Sequence, residues 1–423
     1  MLKDSKIPKK LYKEILLKKL LFLTLLFTTL AYASFEGRLV DANTSQPINA
    51  AIISDSSFSI KSDENGSFFI DSKEKTYHIK AYGYRPYTFS SDLNATTIKL
   101  IPITVKALYL TFWGASNNSG TLKKILKLID ETQANALVVD VKNEYGSTSF
   151  WTGFKQANNY GAYKKRTNRD IKKFMKIMKE RNIYTIARIV TFKDELQASN
   201  NIDYAIKRDS NNSIWRNHDN MAWVDPFDKR SHNYAISIAE EAAKVGYDEI
   251  NFDYIRFPAK KGLKFSKQCN QPNRTKAIEV FLDRAQKRLR KYGVFISVDT
   301  YGNICWSKDD NGIGQTVSSL AAHADYLCPM LYPSGFSSGS FYFKYPAEHP
   351  YEVIYRSIKN IQDRVPSNRI RPWLQYFKDY THTKKEYKRK EIQEQIKAAE
   401  DIGSNGWMLW SPSSKYHKNY LRR

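Results

Sequence analysis

From Lys106 onward, apolar runs typical of buried β-strands alternate with amphipathic helical patterns. Strands that alternate with helices predict a parallel sheet, because parallel neighbours need a crossover that a helix supplies. The predicted strands are 107–113, 136–141, 184–190, 249–257, 294–300, 326–332, 370–376 and 406–410, and the predicted helices include 122–132, 170–181, 232–245, 274–292 and 390–402. Eight such units over residues 106–423 indicate an α/β fold, a (β/α)8 TIM barrel.

A doubly wound open sheet is the alternative arrangement of alternating strands and helices. Such folds usually carry a glycine-rich phosphate loop after the first strand, and none follows residues 107–113. Eight strands followed by the end of the pattern favour closure into a barrel.

Residues 35–103 have a different pattern, in which short alternating runs are separated by turn sequences such as Asp63-Glu64-Asn65-Gly66. No helical pattern intervenes. This segment therefore predicts a small all-β sandwich that precedes the barrel.

Residues 1–33 have the features of a secretory signal peptide. A lysine-rich start is followed by the apolar run 20–30 and by Ala31-Tyr32-Ala33, an A-x-A cleavage signal. An uncleaved membrane anchor is the alternative, but the apolar run is well short of the roughly 20 residues that a span needs. We expect an exported protein, periplasmic or at the cell surface, with no membrane span after cleavage.

The formal net charge of +24 raises nucleic acid, anionic membrane or acidic polysaccharide as a partner. However, Lys172, Lys173 and Lys176 are spread along a helix pattern, as on a solvated face, and no nucleic-acid module is visible. We expect no nucleic-acid partner.

The chain has three cysteines, too few for a disulfide framework. Cys328 lies in an apolar run and is expected to be buried, whereas Cys269 and Cys305 follow neighbouring predicted strands and could pair. The histidines show no ligand spacing with a cysteine, so neither a metal nor an organic cofactor is predicted.

The stretch 251–258, NFDYIRFP, is the strongest candidate for a catalytic strand end. An apolar run closes there in Asp253, Tyr254 and Arg256. In barrels of this kind, the groups that do the chemistry lie at the carboxyl ends of the strands. Asp253 is therefore the first candidate catalytic residue, with an ion pair to Arg256 as the structural alternative.

Other predicted strands also end in polar or aromatic residues, and these should meet at one mouth of the barrel. Carboxylates, an arginine and aromatic rings together suit a carbohydrate, whose hydroxyls need polar partners and whose C–H faces pack on rings. The candidate catalytic residues are Asp253, Asp299 and Asp140, and the candidate substrate-binding residues are Tyr254, Arg256, Arg188, Tyr301, Tyr332, Trp223, Asp225, Gln375 and Trp410.

Several of these residues have structural alternatives. Asp140 could form a buried ion pair with Lys142 or Arg188, and Asp225 could be a helix cap or turn residue before Pro226. Tyr332 could close the barrel. Trp113, Trp373 and Trp410 could belong to the core.

Two resemblances extend this interpretation. GRLVDANTSQPINA at 37–50 with DENGSFF at 63–69 resembles the carboxypeptidase regulatory-like (transthyretin-type) domain, which implies a structural or adhesive sandwich. ALVVDVKNEYG at 136–146, WVDP at 223–226, EINFDYIRFP at 249–258, VDTYG at 298–302 and DYLCPMLYP at 325–333 resemble the "putative glycosyl hydrolase domain" family of bacterial barrels. That resemblance implies a (β/α)8 barrel with a nucleophilic carboxylate on the fourth strand, a position that Asp253 matches.

Two functions are compatible with these features. In the first, the protein hydrolyses a polysaccharide, with Asp253 as nucleophile or charge stabiliser and Asp299, or else Asp140, as the acid. In the second, the barrel binds an envelope glycan without turnover. The spacing of the carboxyl groups separates the two, because hydrolysis needs a second acid about 5 to 9.5 Å from Asp253.

Overall fold

The computed structural model describes residues 34–71, 74–90, 92–93 and 96–421. The predicted signal segment, residues 1–33, lies outside this part of the chain. Strands β1 to β7 form the N-terminal domain and are Ser34–Asp41, Ile52–Ser54, Ser59–Lys61, Ser67–Asp71, Thr76–Lys80, Tyr87–Ser90 and Thr97–Leu100. The following strands, β8 to β17, are Val105–Leu110, Ala136–Lys142, Tyr184–Val190, Lys207–Arg208, Glu249–Asp253, Leu263–Lys264, Phe295–Tyr301, Tyr326–Met330, Trp373–Gln375 and Gly406–Trp410.

Helices connect the larger strands. Helices α1 to α9 are Gly120–Glu131, Lys155–Asn159, Ile171–Glu180, Glu195–Asn200, Lys229–Val245, Gln271–Leu289, Val317–His323, Pro350–Lys359 and Arg389–Asp401. Short 3-10 helices lie at Phe112–Ala115, Ile202–Tyr204, Arg290–Tyr292, Gly302–Cys305, Pro333–Gly335, Ser340–Tyr342, Pro346–Glu348, Ser367–Arg369 and Lys418–Tyr420.

The barrel is closed, as the strand count predicted. Its parallel strands run in the order β10, β12, β14, β15, β16, β17, β8 and β9, and β9 pairs with β10. Gly406 makes the junction between the last and first strands possible. Its φ is +81°, and a Cβ at this position would lie 1.8 Å from the carbonyl oxygen of Val105, so a residue with a side chain could not begin β17 this close to β8.

Alternation along the strands determines which side chains enter the barrel. On β12, Glu249, Asn251 and Asp253 all point inward, one layer apart. At the lower end Glu249 forms a fully buried ion pair with Arg371 (2.8 Å). In the next layer Asn251 donates to Ser297 Oγ (3.0 Å), and above it Asp253 lies at the carboxyl end, where the cavity opens.

Strand β12 ends at Asp253, four residues earlier than the sequence predicted. Tyr254 has a φ of +49°, which breaks the extended conformation directly after the carboxylate. The residues from Tyr254 to Phe257 therefore form a loop at the mouth of the barrel.

The N-terminal strands form the predicted sandwich. One sheet has the order β4, β1, β7 and the other β3, β2, β5, β6, and Leu39, Ile53, Ile70 and Tyr77 are among the buried residues between them. The likeness of this domain to the carboxypeptidase regulatory-like family stays a prediction.

The sandwich packs against the amino-terminal end of the barrel strands. Lys80 Nζ forms a buried ion pair with Asp325 Oδ2 (2.6 Å) just before β15, and His78 Nε2 lies 2.8 Å from the carbonyl oxygen of Lys291. The sandwich thus covers the end of the barrel opposite the cavity.

The three cysteines are free thiols. The suggestion that Cys269 and Cys305 could pair is therefore wrong in this structure. Cys305 is buried below the loop surface, whereas Cys269 remains half-buried. As predicted, Cys328 is buried inside the barrel.

Candidate active site

A cavity of about 310 Å³ opens at the carboxyl ends of the barrel strands. Its lining combines aromatic rings with charged side chains. The lining residues are Arg188, Asp253, Tyr254, Arg256, Asp299, Tyr301, Gly302, Asn303, Met330, Tyr332, Gly335, Phe336, Trp373, Tyr380 and Trp410.

Arg188 organises the carboxylates on the floor of the cavity. Its Nε donates to Asp253 Oδ2 at 3.0 Å, its Nη2 donates to the same oxygen, and its Nη1 donates to Asp140 Oδ1. All three side chains are buried. One guanidinium therefore bridges two carboxylates, and its planar fork fixes the orientation of both.

The second oxygen of Asp253 also has a donor. The backbone N–H of Tyr254 donates to Asp253 Oδ1 at 2.6 Å. The positive φ of Tyr254 is part of the turn that brings this N–H back towards the preceding side chain. Asp253 is thus held in one orientation at the edge of the cavity, with 6% of its surface exposed.

Asp299, at the end of the neighbouring strand, has a different environment. Its Oδ1 accepts hydrogen bonds from Trp373 Nε1 (2.6 Å) and from Asn251 Nδ2 (2.9 Å). Burial, and secondly the negative charge of Asp253, raise the pKa of Asp299 well above its ordinary value. Asp299 can therefore keep a proton under conditions in which an exposed aspartate is ionised.

Arg188 also sets an upper limit on the separation of the two acids. Its Nε lies 3.0 Å from Asp253 Oδ2 and 4.0 Å from Asp299 Oδ2, so these two oxygens are no more than about 7 Å apart. Two-carboxylate glycoside hydrolysis uses separations of this size. Asp253 and Asp299 are therefore no farther apart than such a mechanism allows.

Aromatic side chains complete the floor and one wall. The rings of Trp410 and Tyr109 stack with centroids 4.0 Å apart, and the guanidinium of Arg188 lies 5.1 Å from the centroid of the Trp410 ring. Tyr109 also donates its hydroxyl hydrogen to Asp140 Oδ2 at 2.5 Å. Trp410 therefore presents an ordered ring surface next to the charged groups.

A comparison with protein families identifies the barrel domain. The profile of the "putative glycosyl hydrolase domain" family matches residues 107–416, which is nearly the whole barrel. The chain belongs to this family.

Two solved structures are similar to this protein. The PgaB (BpsB) glycoside hydrolase domain from Bordetella bronchiseptica matches with a TM-score of 0.52 and 10% identity, over 74% of this chain and 95% of that one. A hypothetical protein from Ruminiclostridium thermocellum ATCC 27405 is 36% identical over 45% of this chain and 96% of that one, with a TM-score of 0.41. The search of curated proteins gives no match.

Most of the predicted site residues lie around the cavity of this glycosyl hydrolase-family barrel. Two of the predicted catalytic residues, Asp253 and Asp299, line it, and the predicted binding residues that do so are Tyr254, Arg256, Arg188, Tyr301, Tyr332 and Trp410. Burial, and next the charge of Asp299, raise the pKa of Tyr332 well above its ordinary value, so its hydroxyl keeps its proton.

Four predicted residues lie outside the cavity. Asp140 lies beside it and is bound to Arg188 and Tyr109, so its structural alternative describes its contacts. Asp225 accepts hydrogen bonds from the backbone N–H groups of Phe227 (2.9 Å) and Ser266 (2.6 Å), as a residue that anchors a turn. The helix cap that the sequence suggested for it is Asp228 instead.

Gln375 and Trp223 support the surroundings of the cavity. The side chain of Gln375 accepts from the backbone N–H of Ser334 (3.0 Å) and donates to the Ser334 hydroxyl (2.7 Å), which ties two mouth loops together. Trp223 is buried and packs behind Arg256.

Sequence reasoning missed three supporting residues, Asn251, Tyr109 and Trp373. Asn251 lies two positions before Asp253, and strand alternation could have placed it in the barrel beneath that residue. Trp373 was expected to be a core residue, and it is buried, but its N–H also holds Asp299. No pattern in the sequence predicts the hydrogen bond between Trp373 and Asp299.

Among the residues that the structure describes, no group of His, Cys, Asp and Glu side chains is arranged to hold a metal ion. Within the same residues, no helix has the length and apolar character needed to cross a bilayer.

Proposed function

We propose that this protein is a glycoside hydrolase that acts on a polysaccharide with Asp253 and Asp299 as its two working carboxyl groups. The arrangement at the barrel mouth of a carboxylate ion-paired to arginine beside a buried carboxyl group whose pKa is raised carries the proposal. A carboxyl group with a raised pKa next to a second carboxylate marks the general acid and its partner in many hydrolases. Membership of a glycosyl hydrolase family supports the same assignment.

Asp253 has the role of nucleophile or charge stabiliser. Its carboxylate, paired with Arg188, faces the cavity in which an anomeric carbon would be bound. As the glycosidic bond breaks, the sugar gains positive charge, and a fixed negative charge at short range stabilises that transition state. Arg188 and the Tyr254 N–H hold the carboxylate in place before the reaction.

Asp299 has the role of general acid. Its Oδ1 is occupied by the two donors Trp373 and Asn251, so Oδ2 is the oxygen available to carry a proton. Transfer of that proton to the leaving glycosidic oxygen makes the leaving group a neutral alcohol. The hydroxyls of Tyr332 and Tyr301 lie on the same cavity and can bind sugar hydroxyls.

Exposed aromatic rings around the mouth support a polymeric substrate. Trp113 (66% exposed), Trp151 (54%) and Trp306 (43%) lie in loops that follow barrel strands, as does Tyr380, and Tyr301 is exposed at the end of β14. Large rings exposed to water usually mark a binding surface, and sugar C–H faces pack on them. They would give successive units of a chain several places to bind beyond the cavity.

The proposal includes export. The lysine-rich, apolar and A-x-A segments of residues 1–33 support it. A periplasmic or surface location would place the enzyme beside envelope and environmental polysaccharides.

The test is a screen of the protein from Ser34 onward against α- and β-linked bacterial glycans, with new reducing ends as the signal. The Asp253→Asn variant is run in parallel, and Asp363→Asn, an exposed aspartate, is the matched control. We expect release of sugar by the parent and by Asp363→Asn but not by Asp253→Asn. Binding of a glycan with no release by any form would show a non-catalytic binding protein.

A further inference from the structure

We propose that the substrate carries an anionic substituent, a carboxylate or a sulfate, and that Arg256 and a basic groove beside the cavity bind it. This inference rests on the proposed function and specifies its substrate class. Residues that line the basic groove include Arg208, Lys260, Trp215, Trp223 and Arg256.

Arg256 is an arginine with no carboxylate partner among the described residues. Its guanidinium donates one hydrogen bond, from Nη1 to the carbonyl oxygen of Phe257 (3.2 Å), and lies over the rings of Trp223 (5.1 Å) and Tyr254 (5.3 Å). Arg188, in contrast, is bound to two carboxylates. The remaining N–H groups of Arg256 are therefore available to a ligand.

Burial makes this unpaired charge unfavourable. It lowers the pKa of Arg256, as expected when a cation loses contact with water. The two flanking rings fix the guanidinium plane. An arriving anion would restore the lost stabilisation, because a planar guanidinium binds carboxylate and sulfate oxygens through parallel hydrogen bonds.

The groove and the cavity share one lining residue, Arg256. None of the described residues that line the groove is Asp or Glu. Arg216 and His218 in the same groove face Glu195 and Asp219, whereas Arg208 and Lys260 are exposed and form no ion pair among the described residues. A glycan chain leaving the cavity along this path would meet unpaired positive charge.

The tryptophans distinguish this groove from a general basic surface. Trp215 and Trp223 are both buried, with 7% and 2% of their surfaces exposed, so their positions are fixed by packing. A basic surface that bound any polyanion would not require ordered rings beside the charges. The guanidinium of Arg256 lies over the buried ring of Trp223, so this ring orients the cation for a ligand in the groove.

The test measures binding by the full chain carrying Asp253→Asn, so that turnover cannot remove the ligand. The probes are alginate, polygalacturonate and hyaluronan, each beside its carboxyl-reduced form, together with dextran sulfate beside dextran. We expect at least one anionic polymer to bind tenfold or more tightly than its neutral form. A carboxylate preference identifies a uronate, and a preference for dextran sulfate alone identifies a sulfate ester.

Adding Arg256→Gln should remove most of that preference, and adding Lys260→Gln should weaken it. Their controls are Arg389→Gln and Lys172→Gln, which change the charge equally at exposed positions away from the groove. If a groove variant and its control lose the preference for the anionic polymer equally, the binding is a general charge attraction and the proposal is overturned. Equal binding of every anionic polymer and its neutral form would also overturn it.

The outcome is separable from that of the hydrolysis test. A protein that prefers anionic glycans but releases no sugar would leave the groove assignment standing and refute the enzyme. The opposite result is also possible: the protein hydrolyses neutral glycans, and Arg256→Gln lowers kcat/KM equally for neutral and anionic substrates. This result would refute the groove assignment alone. In that case Arg256 would act through Asp253.

Discussion

Replacing Arg188 with glutamine tests the charged floor of the cavity most severely. Arg188→Gln removes the shared counter-charge of Asp140 and Asp253 and keeps a polar side chain of moderate length. All three residues are buried, so water cannot replace the lost guanidinium. Removing one partner of a buried ion pair typically costs about 3–5 kcal/mol, and here two carboxylates lose theirs.

The assay is urea unfolding of the parent and the variant at neutral pH. Arg181→Gln is the matched control, because Arg181 pairs with Asp130 at the surface, with side chains 41% and 46% exposed. Exposed pairs contribute about 0–1 kcal/mol. We therefore expect Arg188→Gln to lower the free energy of unfolding by several kcal/mol and Arg181→Gln to change it little.

Acid should reduce the deficit of Arg188→Gln, which is the amount by which its free energy of unfolding falls below that of the parent. Burial already raises the pKa of Asp140 in the parent, and the loss of Arg188 removes an interaction that opposes this rise. A carboxyl group with a raised folded-state pKa contributes stability below its unfolded pKa of about 4, and that contribution is lost as the pH rises through the folded value. The deficit should therefore be smallest near pH 4 and grow towards neutral pH. A pH-independent deficit, or one as small as that of Arg181→Gln, would refute the account of the cluster.

Three further predictions follow from the fold and the site. Because Asp299 has a raised pKa, its ionisation opposes folding. The Asp299→Asn variant should therefore become more stable relative to the parent as the pH rises above about 4. A difference in urea midpoint that stays constant between pH 4 and 9 would mean that Asp299 is ordinarily ionised. Lys80→Met should destabilise the protein by about 3–5 kcal/mol, since it leaves Asp325 buried without its cation. The control Lys106→Met, at a more exposed ion pair, should destabilise it by under about 1 kcal/mol. Similar melting temperatures for the two variants would show that Lys80 does not stabilise the domain contact. Intact-mass measurement of protein exported by its native host should lack about the first 33 residues, and a full-length product held in membranes would contradict the signal-peptide assignment.

The sequence predicted the barrel well because its strands are apolar runs with clear boundaries. Strands β10 and β17 have the predicted limits, and most others differ by one to three residues. Strand β12 differs more, because the positive φ of Tyr254 ends it early and apolar composition does not encode that turn. Helices α2, α4 and α7 were not among those predicted, since elements of five to seven residues give little periodicity, and α8 was not among them either.

The site was predictable in position but only partly in pairing, since the Asp140–Arg188 pair was offered as an alternative and the Asp253–Arg188 pair was not. Strand ends identified Asp253, Asp299 and Arg188, because barrel topology brings carboxyl ends together. Which carboxylate Arg188 would bind depends on the stagger and tilt of neighbouring strands, and these are properties of the closed barrel. The sequence therefore suggested Arg256 as the partner of Asp253, whereas in the structure Arg188 has that role.

The assignment of Asp253 and Asp299 is tested most directly by comparing two variants on substrates with different leaving groups. The measurement is kcat/KM for a natural glycan and for an activated aryl glycoside of the same sugar. Asp253→Asn should lower both values by at least about a thousandfold, because the positive charge of the transition state loses its partner whatever group leaves. Asp299→Asn should lower the value for the natural glycan by about 10²–10⁴-fold and spare the aryl glycoside, whose leaving group needs no proton. Near-parental values for Asp253→Asn on both substrates, or equal losses on both for Asp299→Asn, would contradict the two-carboxylate mechanism.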